Sequence, residues 1–537
     1  MRLASRVVAV LLITVLFFSF SSVLPKKTAT TVVYAKQDAF HQSESVFIDI
    51  RNNSAFIDYG WSGTGTEIDP FVLTNQAIGN LEDYGYLQIR GTDAYFVIRN
   101  CYLLLMDIFF GSLSNGMIED CTSINSTITI FDSMDCSLIG NDFSFSSYGE
   151  ESIWMQNTSS CEIRENEFKN GHIGIRLYES NDTIISDNIF TGCIGGAILG
   201  DYASTTLTNN IFDGTGLRMD FFDPRIAYDP PIIHDNLVNG KDLGFFFNLV
   251  DAEIDGEQYG QIILGNCTET IITEGTLINC STGVQIISCS DCTVIGTVVA
   301  DCSWRGVTVE RSNKTRIIDC HISNCDEQGI WLSVSPFYTI DNCTIQDNVG
   351  GIYPHIYSNN GTIVNCTIRG NKFVSRDYIA LVAGIHLSTN STVIGNTITD
   401  NNIGIFIYGA HCLVVYNVIT HNGYGIYIGE ALTGYGESPR YNRIYGNEIG
   451  WNYFANAYEY LTTNQWDDGI SIGNSWSDYY GIGYYEICPG SIDHFPKLLP
   501  EGGVSLFLIH VGVGISSSII VVVMIVVILK RRSKNIE

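Results

Sequence analysis

Sixteen cysteines, ten histidines and seven methionines are the residues that could hold a metal or do redox chemistry in this 537-residue chain, and the cysteines are the most regularly spaced. Aligned on a recurrent glycine, Cys343 falls in the place that Asn396 and Asn417 take further on. Cys320 and Cys366 fit the same column when aligned on the following isoleucine. If each belongs to one layer of a stacked sheet, neighbours stand about 4.8 Å apart, within reach of a disulfide. Three readings stay open: packed thiols acting as small apolar residues, a layer-to-layer disulfide in an oxidising exterior, or a soft-metal column on Cys320, Cys343 and Cys366. Cys193, Cys280 and Cys325 occupy or adjoin a second asparagine column. Cys289 and Cys292 form C-x-x-C with no second pair, which leaves a zinc site incomplete. The methionines do not cluster, and His386, His411 and His421 lie on neighbouring repeats at different places, so each reads as solitary.

Acidic pairs are the other candidates. Asp467 and Asp468 are adjacent, and on a strand they would point to opposite faces, so they cannot both aim at one substrate. Asp377 beside Arg376 reads as a solvated loop pair. The chain carries 57 acidic and 28 basic residues, a net charge of -29, which argues against a nucleic-acid partner.

The elements that must position these residues are repeats. In STVIGNTITDNNIGIFIYGAHCLVVYNVITHNGYGIYIG, Asn396, Ile398, Asn401, Gly404, Ile405 and Ile407 recur as Asn417, Ile419, Asn422, Gly425, Ile426 and Ile428. The period of about 20 residues is that of stacked solenoid coils. Ile405 and Ile407 alternate around Phe406, the pattern of a strand with one buried face, and nothing has helical period. Glycine before each strand and asparagine at each corner are expected to supply tight-turn conformations, with the asparagines stacked as amide ladders. The sequence therefore reads as a parallel β-helix. The G-[IV]-x-[IVL] step appears at Gly174, Gly283, Gly306, Gly329 and Gly384, and degenerate coils at SLIGNDF and EIRENEF carry it back towards Phe71.

Residues 1–36 have the charge and apolar core of an export signal. Val504–Leu529 is long enough to cross a bilayer and is followed by Lys530, Arg531, Arg532 and Lys534, which places the repeats outside and the basic tail inside. Asn52, Asn125, Asn157, Asn181, Asn266, Asn279, Asn313, Asn342, Asn360, Asn365 and Asn390 begin N-x-S/T and are candidate glycosylation sites on an exported chain, although an Asn- and Thr-rich repeat generates such triplets by composition.

Three stretches, SGTGTEIDPFVL (62–73), NLVNGKDLGFFFN with GQIILGNC (236–267), and NQWDDGISIGNSWSDYYG followed by PGSIDHFP (464–496), together with the repeats, resemble the NosD-like right-handed parallel β-helix family. That family includes a periplasmic copper-binding protein and carbohydrate-binding and sugar-hydrolysis domains. The resemblance covers about residues 40–498 and implies an all-β, right-handed parallel β-helix over 71–498 after an N-terminal cap at 37–70. An excursion at 221–262 and an inserted loop at 372–383 interrupt the solenoid, and a transmembrane helix at 504–529 and a cytoplasmic tail at 530–537 follow it. It also implies copper or calcium as cofactors and, for copper delivery, a transporter partner. GIGYYEIC stands where related chains have an acidic, calcium-like loop, and the GHG and RIK stretches implied for a polygalacturonase-type site are missing.

The residue between the buried aliphatics of each repeat is Gln285, Thr308, Trp331, Tyr353, His386, Phe406 and Tyr427 in succession. From Trp331 onward this is a column of rings on one outer face, suited to sugar faces or a partner protein. The sequence thus reads as a single-pass cell-surface protein that binds glycans or a surface protein through Trp331, Tyr353, His386, Phe406 and Tyr427. The alternatives are copper delivery with a transporter, and a polysaccharide lyase or hydrolase.

Overall fold

In a computed structural model the chain is a parallel β-helix built in two blocks. The structure describes residues 46–80, 83–145, 151–199, 204–219, 230–355, 357–372, 382–429, 438–460 and 464–500. The export signal, Arg376, Asp377, the apolar segment 504–529 and the basic tail lie outside them. No helix among the described residues is long and apolar enough to cross a membrane.

The first block has three parallel sheets. One runs from Phe47–Ile50 to Leu217–Met219, the second from Phe71–Thr74 to Ile232–His234, each with eight strands, and the third from Ala77–Gly79 to Leu237–Val238. The solenoid therefore starts earlier than the sequence suggested: Phe47–Ile50 already pairs with Gly85–Arg90. A short helix, Asn53–Asp58, follows it, N-capped by the Asn52 side chain, which accepts from the Ala55 N–H. Its Phe56 stacks on Phe71 at 4.7 Å and closes the end of the core. Inside the block Phe143, Phe168, Phe190 and Phe212 stack face to face at 5.0, 4.7 and 4.9 Å.

The segment expected as an excursion belongs, from residue 230 onward, to the stack. Ile232–His234 and Leu237–Val238 complete the last turn of the first block, and Lys241–Phe247 then pairs antiparallel with Leu237–Val238. The reversal is made by Asn239 (φ 51) and Gly240 (φ 79), the two left-handed residues of a primed hairpin turn. After it the chain winds a second block, whose long strands run from Lys241–Phe247 to Ala455–Glu459 beside sheets of nine and ten strands.

The blocks lock together through side chains. Leu217–Met219 is the edge strand of the first block, and an open edge leaves backbone groups without partners. Gln261 and Gln285 of the second block supply them. The Gln261 amide accepts from the Leu217 N–H (2.9 Å) and donates to the Leu217 carbonyl (2.7 Å). The Gln285 amide accepts from the Met219 N–H (3.0 Å) and donates to the same carbonyl (2.7 Å).

The recurrent glycines serve packing, not turns. Gly306 and Gly384 have ordinary negative φ, but a Cβ on Gly306 would stand 2.6 Å from the Gly329 carbonyl oxygen, and one on Gly384 3.0 Å from that of Gly404. Left-handed conformations are taken instead by the residue before each ladder position, such as Gly395 (φ 69), Tyr416 (φ 57), Asp400 (φ 59) and His421 (φ 60).

Candidate functional site

The asparagine ladders form as the repeat implies. Asn396 donates its backbone N–H and side-chain amide to Asn417 Oδ1, both at 2.9 Å, and Asn417 does the same to Asn447, and Asn447 to Asn474. Each amide also donates to the carbonyl two residues back and to one in the preceding turn, as Asn396 does to Ile394 and Ile363. Every ladder atom is thus satisfied inside the core.

Cysteine reproduces this geometry. Cys343 donates its N–H to Cys366 Sγ (3.4 Å), and Cys366 donates its N–H to Asn396 Oδ1 (2.8 Å). The Cys366 thiol reaches the Val364 and Ile340 carbonyls, and Cys343 and Cys320 make the equivalent bonds to Asp341 and Ile318. The second column runs from Cys280 and Cys302, with sulfurs 3.8 Å apart, through Cys325 to Asn348, Asn371, Asn401 and Asn422. In the first block Cys101 and Cys121 head the ladder of Asn141, Asn166, Asn188, Asn210 and Asn236. Cys193 stands apart, its thiol facing the Phe168 and Thr191 carbonyls.

All sixteen cysteines are free, fifteen of them buried and Cys488 half-buried, so the disulfide reading of the column is corrected. Burial pushes the Cys193 thiol up to about 11 and the Cys412 thiol up to about 12. A soft metal needs thiolates, whereas the thiols of Cys320, Cys343 and Cys366 are engaged as donors to backbone carbonyls. That donor set does not fit copper. No group of three or more His, Cys, Asp or Glu side chains able to hold a metal occurs among the described residues. His411 and His421 are exposed left-handed corner residues stacked on Tyr441 and Trp451.

The outward rings follow one another in the register read from the repeat, edge-on or tilted to one another. Trp331 pairs with Tyr353, His386 with Phe406, and Phe406 with Tyr427. Ring centroids lie 4.5 Å apart from Tyr353 to His386, 5.5 Å from His386 to Phe406 and 5.6 Å from Phe406 to Tyr427. His355 sits between Trp331 and Tyr353, at 6.0 and 5.6 Å. The column is not open along its length: His386 is 3% and Phe406 5% exposed, with Tyr353 and Tyr427 half-buried. Burial raises the Tyr353 and Tyr427 phenols above their ordinary value.

The column extends further at both ends than the repeat indicated. Tyr427 stacks on Tyr458 at 4.8 Å, and Tyr424 on Phe454 at 5.1 Å. Here Tyr453, Phe454, Tyr458 and Tyr460 are 84, 56, 40 and 68% exposed, which makes this the open end. The last coil has no G-I-x-I step, so only the spacing of Ala455, Ala457 and Glu459 against Tyr424, Ile426 and Ile428 carries the register. At the other end the Arg305 guanidinium lies between Trp331 (4.2 Å) and Trp304 (3.9 Å), and Arg218 of the first block covers the far face of Trp304 at 3.4 Å. Burial pulls Arg305 down to about 10 against the opposing pull of Glu327, which it meets at 3.0 Å.

The closing segment uses its acids to end the ladders. Asp493, fully buried, accepts from Asn474 N–H (2.7 Å), Trp476 Nε1 (2.9 Å) and Phe495 N–H (3.0 Å). Glu459 accepts from Asn464, Trp466 and Ser491, and Asp478 from Asn456 and Tyr485. A carboxylate accepts without donating, as the last position of an aligned amide chain requires. Asp467 and Asp468 lie in a turn, not on a strand. Asp468 Oδ1 collects the N–H groups of Ile470, Ser471 and Ile472, and Asp467 binds Gly469 and His494.

None of the eleven sequon asparagines is buried. Asn157, Asn266, Asn342 and Asn365 already donate their side-chain amides to Asp132, Asn248, Asp319 and Asp341.

Two families match the chain. The right handed beta helix region matches residues 237–392, and the periplasmic copper-binding protein (NosD) matches 105–247 and 364–481. No curated protein matches it. Among solved structures, ORF18 of Geobacillus virus E2 is similar over 63% of this chain and 55% of its own, at 13% identity and a TM-score of 0.31. The A-module of the Azotobacter vinelandii mannuronan C-5 epimerase AlgE4 is similar over 77% of this chain and 99% of its own, at 11% identity and 0.27. The tailspike of the Escherichia coli bacteriophage HK620, solved with a hexasaccharide, is similar over 65% and 69%, at 11% identity and 0.26.

Proposed function

As the chain belongs to the NosD-like right-handed β-helix family, we propose that it is a rigid solenoid displayed outside the cytoplasm that binds a glycan without cleaving it. The family's description as periplasmic supports the location. Val504–Leu529, outside the described residues, serves as the single membrane span, with the basic tail inside.

The observation that carries the reading is the ring column and its open end at Tyr424, Phe454 and Tyr458. Ring faces offer flat apolar area to sugar C–H surfaces, and the phenols add hydrogen bonds at the rim. Covered His386 and Phe406 stiffen the column instead of meeting ligand, which moves the contact surface towards its last two turns. The acids of the closing segment support binding over polysaccharide cleavage, because Asp467, Asp468, Asp493 and Glu459 accept hydrogen bonds from the segment itself.

A glycan array probed with the detergent-solubilised full chain tests this. Phe454→Ala with Tyr458→Ala should weaken binding by about 5- to 150-fold, at about 0.5–1.5 kcal/mol per aromatic contact, while Tyr441→Ala, exposed but off the column, should leave it unchanged. Binding that survives the double variant would refute the assignment.

A further inference from the structure

The solenoid ends in an apolar loop that none of the described residues covers. Residues 480–484 read Tyr-Gly-Ile-Gly-Tyr, and Tyr480, Ile482 and Tyr484 are 92, 86 and 59% exposed. Gly481 (φ +78) and Gly483 (φ +77) have open space where a Cβ would point. The base of the loop is nevertheless fixed. Tyr479 donates to the Gly483 carbonyl at 2.7 Å, Tyr485 to Asp478 at 3.1 Å, and the Tyr485 ring stacks on buried Trp476 at 4.0 Å. A braced loop that holds an isoleucine and two tyrosines in water costs hydrophobic free energy unless something apolar receives them.

The chain itself says what lies there. Lys497–Leu498 is the terminal strand of its sheet and pairs with Ser475–Trp476, so it belongs to the same end of the stack as the loop. Leu499 is still buried, and the apolar stretch opens at Val504. Five residues of extended chain reach at most about 18 Å. The headgroup layer of one leaflet takes up about 5–8 Å of that distance. The last turn is therefore held within about 10–13 Å of the headgroup surface of a bilayer that holds Val504–Leu529, and tyrosine beside an aliphatic residue is the composition favoured at the headgroup boundary.

We propose that the C-terminal end of the solenoid seats on the membrane, with Tyr480, Ile482 and Tyr484 in the headgroup region of the bilayer. This rests on the anchoring of the chain through Val504–Leu529. A seated end would hold the solenoid upright and fix the direction in which the column of rings faces.

Spin labels on the full chain in phosphatidylcholine vesicles test it. In a Cys488→Ser background the remaining cysteines are buried, so Ile482→Cys labels the loop and Ile68→Cys, 95% exposed where the chain enters the first coil, labels the opposite end. Power saturation should give an oxygen-to-nickel accessibility ratio several-fold higher at 482 than at 68. Equal, water-like ratios on chain that floats with the vesicles would overturn the seating and leave the anchor standing. Chain that stays out of the vesicles would overturn the anchor and the seating together.

Discussion

Asn417 shows what a ladder position requires, because the chain fills the same column with thiols two to four turns earlier. Its Oδ1 accepts the Asn396 N–H and amide (2.9 Å each), and its Nδ2 donates to the Val393 and Val415 carbonyls (3.0 Å each) and to Asn447 (2.9 Å). In Asn417→Ala the Asn396 side chain keeps its bonds to Ile363 and Ile394, but the Asn396 backbone N–H is orphaned in the core. One orphaned donor with a weakened carbonyl pair costs about 2–4 kcal/mol. Asn417→Cys keeps an acceptor for that N–H and a donor for Val415, as Cys366 does for Cys343 and Val364, and should cost only about 1 kcal/mol. Asn417→Asp faces three acceptors and must bind a proton to fold, which costs about 4 kcal/mol at pH 7 and less as the pH falls. Repeat arrays open locally, so the assay is native-state hydrogen exchange at the Asn396 amide. The expected acceleration is about fivefold for Cys, about 30- to 700-fold for Ala and about 700-fold for Asp at pH 7. A cysteine variant that exchanges as fast as the alanine one would refute the thiol as a stand-in for the amide.

Three further outcomes follow from the same bonds. Gln285→Leu removes the partners of the Met219 N–H and shares out the Leu217 carbonyl to Gln261 alone, so exchange at Met219 should rise by about tenfold or more while turns after Trp331 keep their protection. Trp304→Ala removes the ring held between Arg218 and Arg305 at 3.4 and 3.9 Å; at about 0.5–2 kcal/mol per contact, limited proteolysis between the blocks should quicken. The closing segment should be most stable near about pH 4. Burial raises Asp493, so its contribution grows as the pH falls towards the unfolded carboxyl value. Burial also opposes ionisation of Asp467, but the His494 and Gly469 bonds outweigh it and lower the pKa, so its contribution is lost below that value. Exchange of residues 464–498 against pH should show both limbs, with Asp493→Asn flattening the upper one and Asp467→Asn the lower.

The ladders, the strand register and the thiol column were legible because each depends on one residue recurring at one place in a rung. Phe406 opposite Tyr427 needs no more than the glycine-aligned repeat. What burial does to that column was not legible, since the alternation of the strand does not show that Ala383, Ile403, Tyr408, Tyr424 and Tyr427 pack around Phe406. The junction was hidden for a similar reason. Gln261 and Gln285 look like outward repeat residues, and only the edge strand 44 to 68 residues earlier makes them partners. Asn239-Gly240 was the available signal, because that dipeptide between apolar runs marks a hairpin reversal. The glycines misled because the G-I-x-I step suits both a tight turn and a close backbone approach, and only the φ values separate the two.

The corner also changes what the sequons mean. A rung turns by placing one residue in the left-handed region outside, the next as a ladder residue inside, and a β-branched residue at the start of the following strand. Asparagine is the side chain that best tolerates the first position, and threonine suits the third. Asn125, Asn157, Asn266, Asn279, Asn342, Asn360, Asn365 and Asn390 all have positive φ. In Asn342-Cys343-Thr344 and Asn365-Cys366-Thr367 the middle residue is a buried thiol of the ladder and the threonine opens a strand. The N-x-T triplet is thus written by the backbone before any glycan is considered, so the number of sequons is no measure of export. Where a sugar is added, it must first displace the asparagine amide from bonds such as Asn342 to Asp319 at 2.6 Å, and occupancy should be highest at exposed Asn279 and Asn390, where no such carboxylate bond is made.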